Sequence, residues 1–303
     1  MYRRGVRTAL VLVAAAAAAG CGKAPDPPPP GPPSPPAPGS ARPARLDSKA
    51  FADLASALGA TIPDDARVIG FGELHARTDR AQVPSALSRF TREAMPALAP
   101  RASDLVIETW VQDKGCAAVA SDATARVEMT MRRPQETRSE IAQLADAARA
   151  AHVQPRAMTV TCDDYARIAP PGKEVDPAAM LTLTTHELAR VTTAALAQRE
   201  LSPDDPRTRV LVYGGALHND RFPEPGTEEW SYAAAIDARS HDHFVELDLI
   251  VPEYAEGDPA SQRQPWYPLV TAADAQVHVW QRGERSFVIV LAKTPPAAPG
   301  AAP

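Results

Sequence analysis

The residues best suited to do chemistry in this chain gather behind two glycines. R-V-I-G-F-G-E-L-H ends at His75 and R-V-L-V-Y-G-G-A-L-H ends at His218, so each imidazole stands three residues after a glycine, Gly72 or Gly215. The two tetrads lie about 140 residues apart, and only a fold can unite them. Each repeats one local design, a β-branched run that stops at glycine and presents an imidazole just beyond it. Such glycines permit tight turns and a close approach of ligand to backbone. With Glu73 in the first tetrad, Glu108 in D-L-V-I-E-T-W and Asp163 in C-D-D, the chain offers two imidazoles and several carboxylates. That set has two physical uses. His75, His218 and Asp163 are nitrogen and oxygen ligands for a divalent transition metal that activates water. Alternatively, Glu73 serves as general base while an imidazole polarises or protonates the substrate.

These residues have to be positioned by strands. Short apolar runs predict strands at Arg67 to Gly72, Asp104 to Trp110, Arg156 to Thr161 and Arg209 to Gly214, then His243 to Val251, Gln276 to Gln281 and Ser286 to Ala292. Helical stretches fall between them: Ala81 to Leu98, Pro134 to His152 and Asp176 to Glu200. In the second, Ile141, Leu144, Ala145 and Ala148 recur at helical spacing, and Pro134 and Pro177 suit a first turn. Alternating strands and helices with near-continuous apolar strands predict an α/β fold. Its central sheet is mainly parallel, with helices on both faces and an antiparallel edge hairpin around Arg282-Gly283-Glu284. In such a sheet the C-terminal ends of the first four strands present Glu73 and His75, Glu108, Cys162 to Asp164, and His218 along one rim, where open α/β sheets bind ligands.

On these residues, F-G-E-L-H at 71–75, V-I-E ending at Glu108 and Y-G-G-A-L-H at 213–218, the chain resembles the superfamily that unites ChaN-like haem-binding lipoproteins, Tiki metalloproteases and erythromycin esterases. The resemblance implies an α/β domain over residues 46–293, with Glu73, His75 and His218 as its ionisable centre and Glu108 as a fourth member by position. Members of one superfamily do different things, so the likeness bears more on fold than on activity.

Ahead of the domain, Tyr2-Arg3-Arg4 through Arg7 is basic and Thr8 to Ala19 is apolar, the pattern of a signal peptide over residues 1–20. The apolar run is well short of the ~20 residues that span a bilayer. Ala18-Ala19-Gly20-Cys21 resembles a bacterial lipobox, which implies cleavage before Cys21 and a diacylglycerol on its thiol, with ordinary secretory cleavage as the alternative. Gly22 rather than Asp favours a bacterial outer-membrane envelope location. Lys23 to Arg45 is nearly half proline and predicts a polyproline II stalk over residues 21–45, reaching ~70 Å at ~3.1 Å per residue. Residues 294–303 read as a disordered tail. With Cys21 lipidated, Cys116 and Cys162 remain, and in an oxidising compartment the expectation is a disulfide, with two free buried thiols as the alternative. A net charge of −5 and a pI of 5.8 leave no basic stripe for phosphates and argue against a nucleic-acid partner.

Three functions compete. The first is a membrane-anchored hydrolase of ester or amide bonds, acting on a small-molecule or peptide substrate. The second is a lipoprotein of ChaN type that holds haem or iron non-covalently, with Tyr or His as axial ligand; Tyr165, Tyr213 and Tyr232 are available. The third is an inert envelope component. An aromatic content of 5 % favours a small polar site over a flat haem cleft. His241-Asp242-His243 has metal-ligand spacing but precedes a strand that enters from the opposite rim, so a solvated turn is the expectation. His152 and His186 read as structural, His278 needs no function, and Glu246 and Asp248 share a strand face outside the predicted site. Glu253 to Gln264 reads as a long surface loop, with a lid over the rim as the alternative.

Overall fold

A computed structural model describes residues 46–295, apart from 77, 81 and 114. The signal peptide, Cys21 and the stalk lie outside the described residues, as does the tail from residue 296.

Eight strands form one sheet among the described residues: β1 (Ser48–Phe51), β2 (Val68–Glu73), β3 (Ala102–Gln112), β4 (Gln154–Val160), β5 (Arg209–Gly215), β6 (Phe244–Ile250), β7 (Val277–Gly283) and β8 (Ser286–Val290). Their spatial order is β1-β7-β8-β6-β2-β5-β3-β4. From β8 to β4 every neighbouring pair is parallel, whereas β7 pairs antiparallel with both β8 and β1. The fold is therefore α/β with a mainly parallel sheet and an antiparallel edge, and the hairpin expected near Arg282 is β7 and β8. The edge strand β1 has no counterpart in the sequence reading; it is four residues long and its exposed positions are Lys49 and Ala50.

Every residue of β2, β5 and β6 is buried, which is why these runs are largely apolar on both faces, with Glu73 at the end of β2 and Glu246 and Asp248 in β6 as their buried acids. Their side chains nevertheless divide by parity. Ile69, Phe71, Leu211 and Tyr213 join a core with Leu54, Leu58, Phe90 and Leu144. Val68, Val210 and Val212 join another with Leu188, Val191 and Ile236. Each such buried side chain contributes about 1.5–3 kcal/mol of transfer free energy, so the central strands are the most firmly held part of the molecule.

The predicted helix at Ala81 to Leu98 begins later, at Ala86, where Ser85 accepts a hydrogen bond from the Ser88 N–H. A π-helical turn at Phe90–Ala94 interrupts it. The other two helices fall where periodicity placed them, at Glu136–Ala150 and Pro177–Glu200. Helices at Leu54–Thr61, Ala117–Met131, Cys162–Ile168 and Ala233–Arg239 join these. The stretch Glu253 to Gln264 is not a free loop. It carries two short helices, Pro252–Ala255 and Pro259–Gln262, and buried Tyr254 donates its hydroxyl to the Val83 carbonyl at 3.0 Å.

The strand order matters most for the site. The chain leaves β2, builds β3 and β4 further out, and then returns to insert β5 between β2 and β3. The C-terminal ends of β2 and β5, with Glu73 and Gly215, thereby adjoin β3 at Glu108, just past its last pair with β5, at a switch in connection direction, where open α/β sheets form their crevices.

Candidate active site

Glu73 is the last residue of β2, on the same sheet face as Phe71 and beside Tyr213 of β5. Its two carboxylate oxygens have separate partners. The Tyr213 hydroxyl donates to Oε2 at 2.6 Å, and His75 Nδ1 lies 2.9 Å from Oε1. Tyr213 is fixed in turn by Phe90, whose ring centroid stands 4.7 Å away. Burial first, then the Glu73 charge, push the Tyr213 hydroxyl far above its ordinary range and keep it a donor.

Glu108 reaches the same place from β3. The register of β3 on β4 shifts between Ile107 and Trp110, so Glu108 sits in a bulge that turns it off the regular ladder, a common device beside functional sites. One oxygen accepts the Gly215 N–H at 2.6 Å, and the other accepts an Arg133 Nη2–H at 3.0 Å. Burial alone would raise the Glu108 carboxyl, but His75, His218, Arg133 and the Gly215 amide outweigh it and lower it to about 2.

Arg133 ties the two halves together. The same Nη2 lies 2.8 Å from His75 Nε2. Because guanidinium only donates, Nε2 must accept, which leaves the proton of a neutral imidazole on Nδ1, facing Glu73. Arg133 follows the left-handed C-cap Arg132 of the helix Ala117–Met131, and the Arg132 carbonyl accepts the Thr78 N–H just beyond His75. The Arg133 Nε finds no acceptor among the described residues.

His218 occupies the turn after β5, where Ala216 N–H donates to the Glu73 carbonyl and His218 N–H to that of Gly215. Its Nδ1 lies 2.8 Å from Thr185 Oγ1 and 3.1 Å from the Trp230 carbonyl, to which the Thr185 hydroxyl also donates at 2.7 Å. A carbonyl cannot donate and the threonine proton is already committed, so Nδ1 carries the hydrogen and neutral His218 keeps a bare Nε2. Burial lowers the His218 pKa below 6.5, against the pull of the Glu108 carboxylate and the Trp230 carbonyl.

Both glycine tetrads have a packing reason. A Cβ on Gly214 would stand 2.8 Å from Glu108 Oε2, and one on Gly215 would stand 2.9 Å from His75 Nε2. On the other strand a Cβ on Gly72 would stand 2.3 Å from Asp248 Oδ1. These residues lie in strands rather than turns; side chains approach Gly214 and Gly215, while Gly72 is also met by the Ala216 backbone, its Cα 2.7 Å from the would-be Cβ.

The predicted set is thus united in four of its five members: Glu73, His75, Glu108 and His218. Asp163 is the exception and corrects the expected metal set. It sits exposed in the first turn of the helix Cys162–Ile168, after β4, the outermost strand of the parallel region. Among the described residues no group of three His, Cys, Asp or Glu side chains is arranged to hold a metal ion. The donors also fit a cation poorly, because the Arg133 guanidinium already faces His75 Nε2, where a divalent ion would have to bind. The tyrosines named as axial ligands are not free to reach a haem. Tyr165, Tyr213 and Tyr232 are all buried, and burial raises the hydroxyls of all three.

Arg133 and Thr185 are the residues of the candidate site that the sequence reading missed. Arg133 is one of many arginines, and Thr185 stands within T-L-T-T-H in the middle of a helix; neither has a local pattern that marks it. Beside Glu73 and His75 a small cavity is also lined by Ser85, Arg133 and Glu140. The Ser85 hydroxyl donates to Glu140 at 2.7 Å, while burial, reinforced by Glu73, pushes the Glu140 carboxyl up. A larger hollow of about 660 Å³, lined by Pro96, Pro100, His152 and Arg207, lies at the opposite ends of the strands and carries none of this chemistry.

Other histidines have plain roles. His241 and Asp242 form a left-handed turn, His243 pairs with Asp65 at 3.1 Å before β6, and His278 with Asp274 at 3.3 Å. Cys116 and Cys162 are joined as a disulfide, linking the start of helix Ala117–Met131 to that of Cys162–Ile168.

No protein-family model matches the chain, and no curated protein does. Among solved structures the chain is similar to the type III effector HopBA1 at 14 % identity and a TM-score of 0.39, over 82 % of this chain and 98 % of that one.

Proposed function

We propose that the domain is a hydrolase of ester or amide bonds in which His218 is the general base. The observation that carries this reading is the His218 hydrogen-bond pattern: Thr185 and the Trp230 carbonyl hold Nδ1–H and leave Nε2 with a free lone pair, in a ring that feels the Glu108 charge. Glu73 has both oxygens occupied, so it takes the part of orienting His75 rather than that of base. In the proposed reaction Nε2 removes a proton from water as its oxygen attacks the carbonyl carbon. The carbonyl π electrons move to oxygen, and Arg133 neutralises the charge that forms there. Collapse re-forms the carbonyl, breaks the bond to the leaving group and returns the proton from the imidazolium to it. Proton transfer by a positioned imidazole contributes about 10²–10⁴-fold.

The two core clusters, one shared with the helices at Leu54–Thr61 and Glu136–Ala150 and the other with those at Pro177–Glu200 and Ala233–Arg239, support helices on both sheet faces. The basic and apolar leader, Cys21 and the proline stalk support an anchored envelope lipoprotein whose domain works away from the membrane surface. The test is a screen of carboxylic esters and peptides with wild type, His218→Asn and Arg133→Lys. Turnover lost by ~10²-fold or more in His218→Asn supports the reading. Equal turnover in wild type and His218→Asn, or none in any protein, rejects it.

A further inference from the structure

Beneath the His218 turn, on strand β6, is a group of buried polar side chains that the proposed reaction does not use. Asp248 is the register partner of Gly72, and Glu246 that of Gly70. Asn219, next to His218 and 1 % exposed, donates its amide to the Gly70 carbonyl at 3.2 Å and to Asp248 Oδ1 at 3.3 Å. The missing Cβ of Gly72 makes the room: its ideal position lies 2.3 Å from Asp248 Oδ1 and 2.6 Å from Asn219 Oδ1, so both oxygens stand over one spot.

The hydrogen-bond balance is incomplete in a telling way. Asn219 Oδ1 is buried and finds no donor among the described residues. Among the described residues no hydrogen bond or ion pair joins Asp248 to a cation, because the nearby guanidinium of Arg282 is engaged with Asp220 at 2.7 Å, Glu246 at 3.3 Å and the Phe222 carbonyl at 2.8 Å. The other ionisable groups facing Asp248 are the acids Glu246 and Asp220 and the buried Tyr232 hydroxyl. One residue has an acceptor in need of a proton, and its neighbour is an acid with every reason to keep one.

We propose that Asp248 and Asn219 form a two-point acid–amide pair over Gly72 that clamps the His218 turn to strand β2. The Asn219 amide donates to one Asp248 oxygen, and the Asp248 hydroxyl donates to Asn219 Oδ1. Burial first, then Glu246 and Asp220, hold the Asp248 carboxyl well above the ordinary carboxylate range, which supplies that proton. Asp248 is a positioning residue: it touches Asn219 and acts on His218 through the chain. Because the acid keeps its proton to higher pH in the folded state than in the unfolded one, the contribution of the clamp to stability is full below the unfolded aspartate pKa and is lost as pH rises through the folded one.

The test compares the full chain with Asp248→Asn, Asp248→Ala and Glu246→Gln by thermal melting from pH 4 to 8 and by NMR of the His218 ring. Asp248→Asn can make the same two-point pair without titrating. It is expected to melt with wild type near pH 4 and to gain about 3 °C on it by pH 8, with an unmoved His218 signal, while Asp248→Ala shifts or broadens that signal. Glu246→Gln separates the contribution of the neighbouring acid. A melting difference between Asp248→Asn and wild type that stays flat with pH overturns the proposal, as does an Asp248→Ala protein whose His218 signal matches wild type. Neither readout uses turnover, so a failed clamp is distinguishable from a failed hydrolase assignment.

Discussion

His75 Nε2 stands 2.9 Å from the point that a Cβ on Gly215 would occupy. The glycine of the second tetrad is therefore there for the histidine of the first. Alanine at 215 has to displace the imidazole, and with it the contact from Arg133, while the Gly215 N–H still serves Glu108. Gly215→Ala is expected to keep the fold and to lower hydrolysis by about 10²-fold, since a misplacement near 1 Å has that cost. Gly59 is the control, a helical glycine with open space around its would-be Cβ. Gly59→Ala should leave turnover unchanged and stabilise by about 0.5–1 kcal/mol in denaturant melts. Equal activity in both variants sinks the packing argument.

Glu108 makes the site sensitive to acid. Its carboxyl is held down to about 2 from an ordinary 4.5, so its contribution is present above 4.5 and is lost as pH falls toward 2. A shift of that size corresponds to about 3 kcal/mol. Glu108→Gln removes this titration and leaves Arg133 without its carboxylate. The variant should be less stable than wild type at neutral pH and lose less on acidification, so that the two denaturation curves converge near pH 2. Parallel loss of stability across that range means that Glu108 is not ionised in the native protein.

The strand ends were readable because glycine followed by imidazole interrupts an apolar run, and that break survives without any tertiary information. Strand order was not readable. Glu73, Glu108, Asp163 and His218 look equivalent as residues at strand ends, yet only the insertion of β5 between β2 and β3 makes neighbours of three and leaves Asp163 beyond β4 at the edge. Arg133 and Thr185 escaped for a related reason. Each acts through the geometry of its helix against the sheet, and a lone arginine or a helical threonine has no local pattern of its own. The disulfide was legible from compartment and count alone, since just two cysteines remain after Cys21.

The Cys116–Cys162 bond closes a loop across 46 positions. Constraining a loop of that length in the unfolded chain is worth about 4 kcal/mol in the entropic model. The helix that starts after Cys116 ends just before Arg133, so the bond also restrains an element that carries a site residue. Cys116→Ser with Cys162→Ser, or treatment with a reductant, should lower Tm by ~10 °C at the usual ~2–4 °C per kcal/mol. A melting curve indifferent to reductant would show that the covalent link adds nothing to stability.

The most discriminating prediction concerns the proton on His218. The Trp230 carbonyl and the committed Thr185 hydroxyl require hydrogen on Nδ1, and burial keeps the ring below its ordinary 6.5. A base works when unprotonated, so a lowered pKa extends full activity to more acid conditions. The acid limb of kcat/KM should then have its midpoint under pH 6.5, and ¹⁵N NMR should find Nδ1 protonated and Nε2 bare in the neutral ring. Thr185→Val leaves the ring only the carbonyl to orient it and should cost ~10–100-fold in kcat, the usual toll for removing a group that orients an active imidazole, with little change in KM. An Nε2-protonated ring in the wild type would contradict the assignment of His218 as base even if the protein hydrolysed esters, because its remaining lone pair would then face Thr185 and Trp230 instead of the substrate.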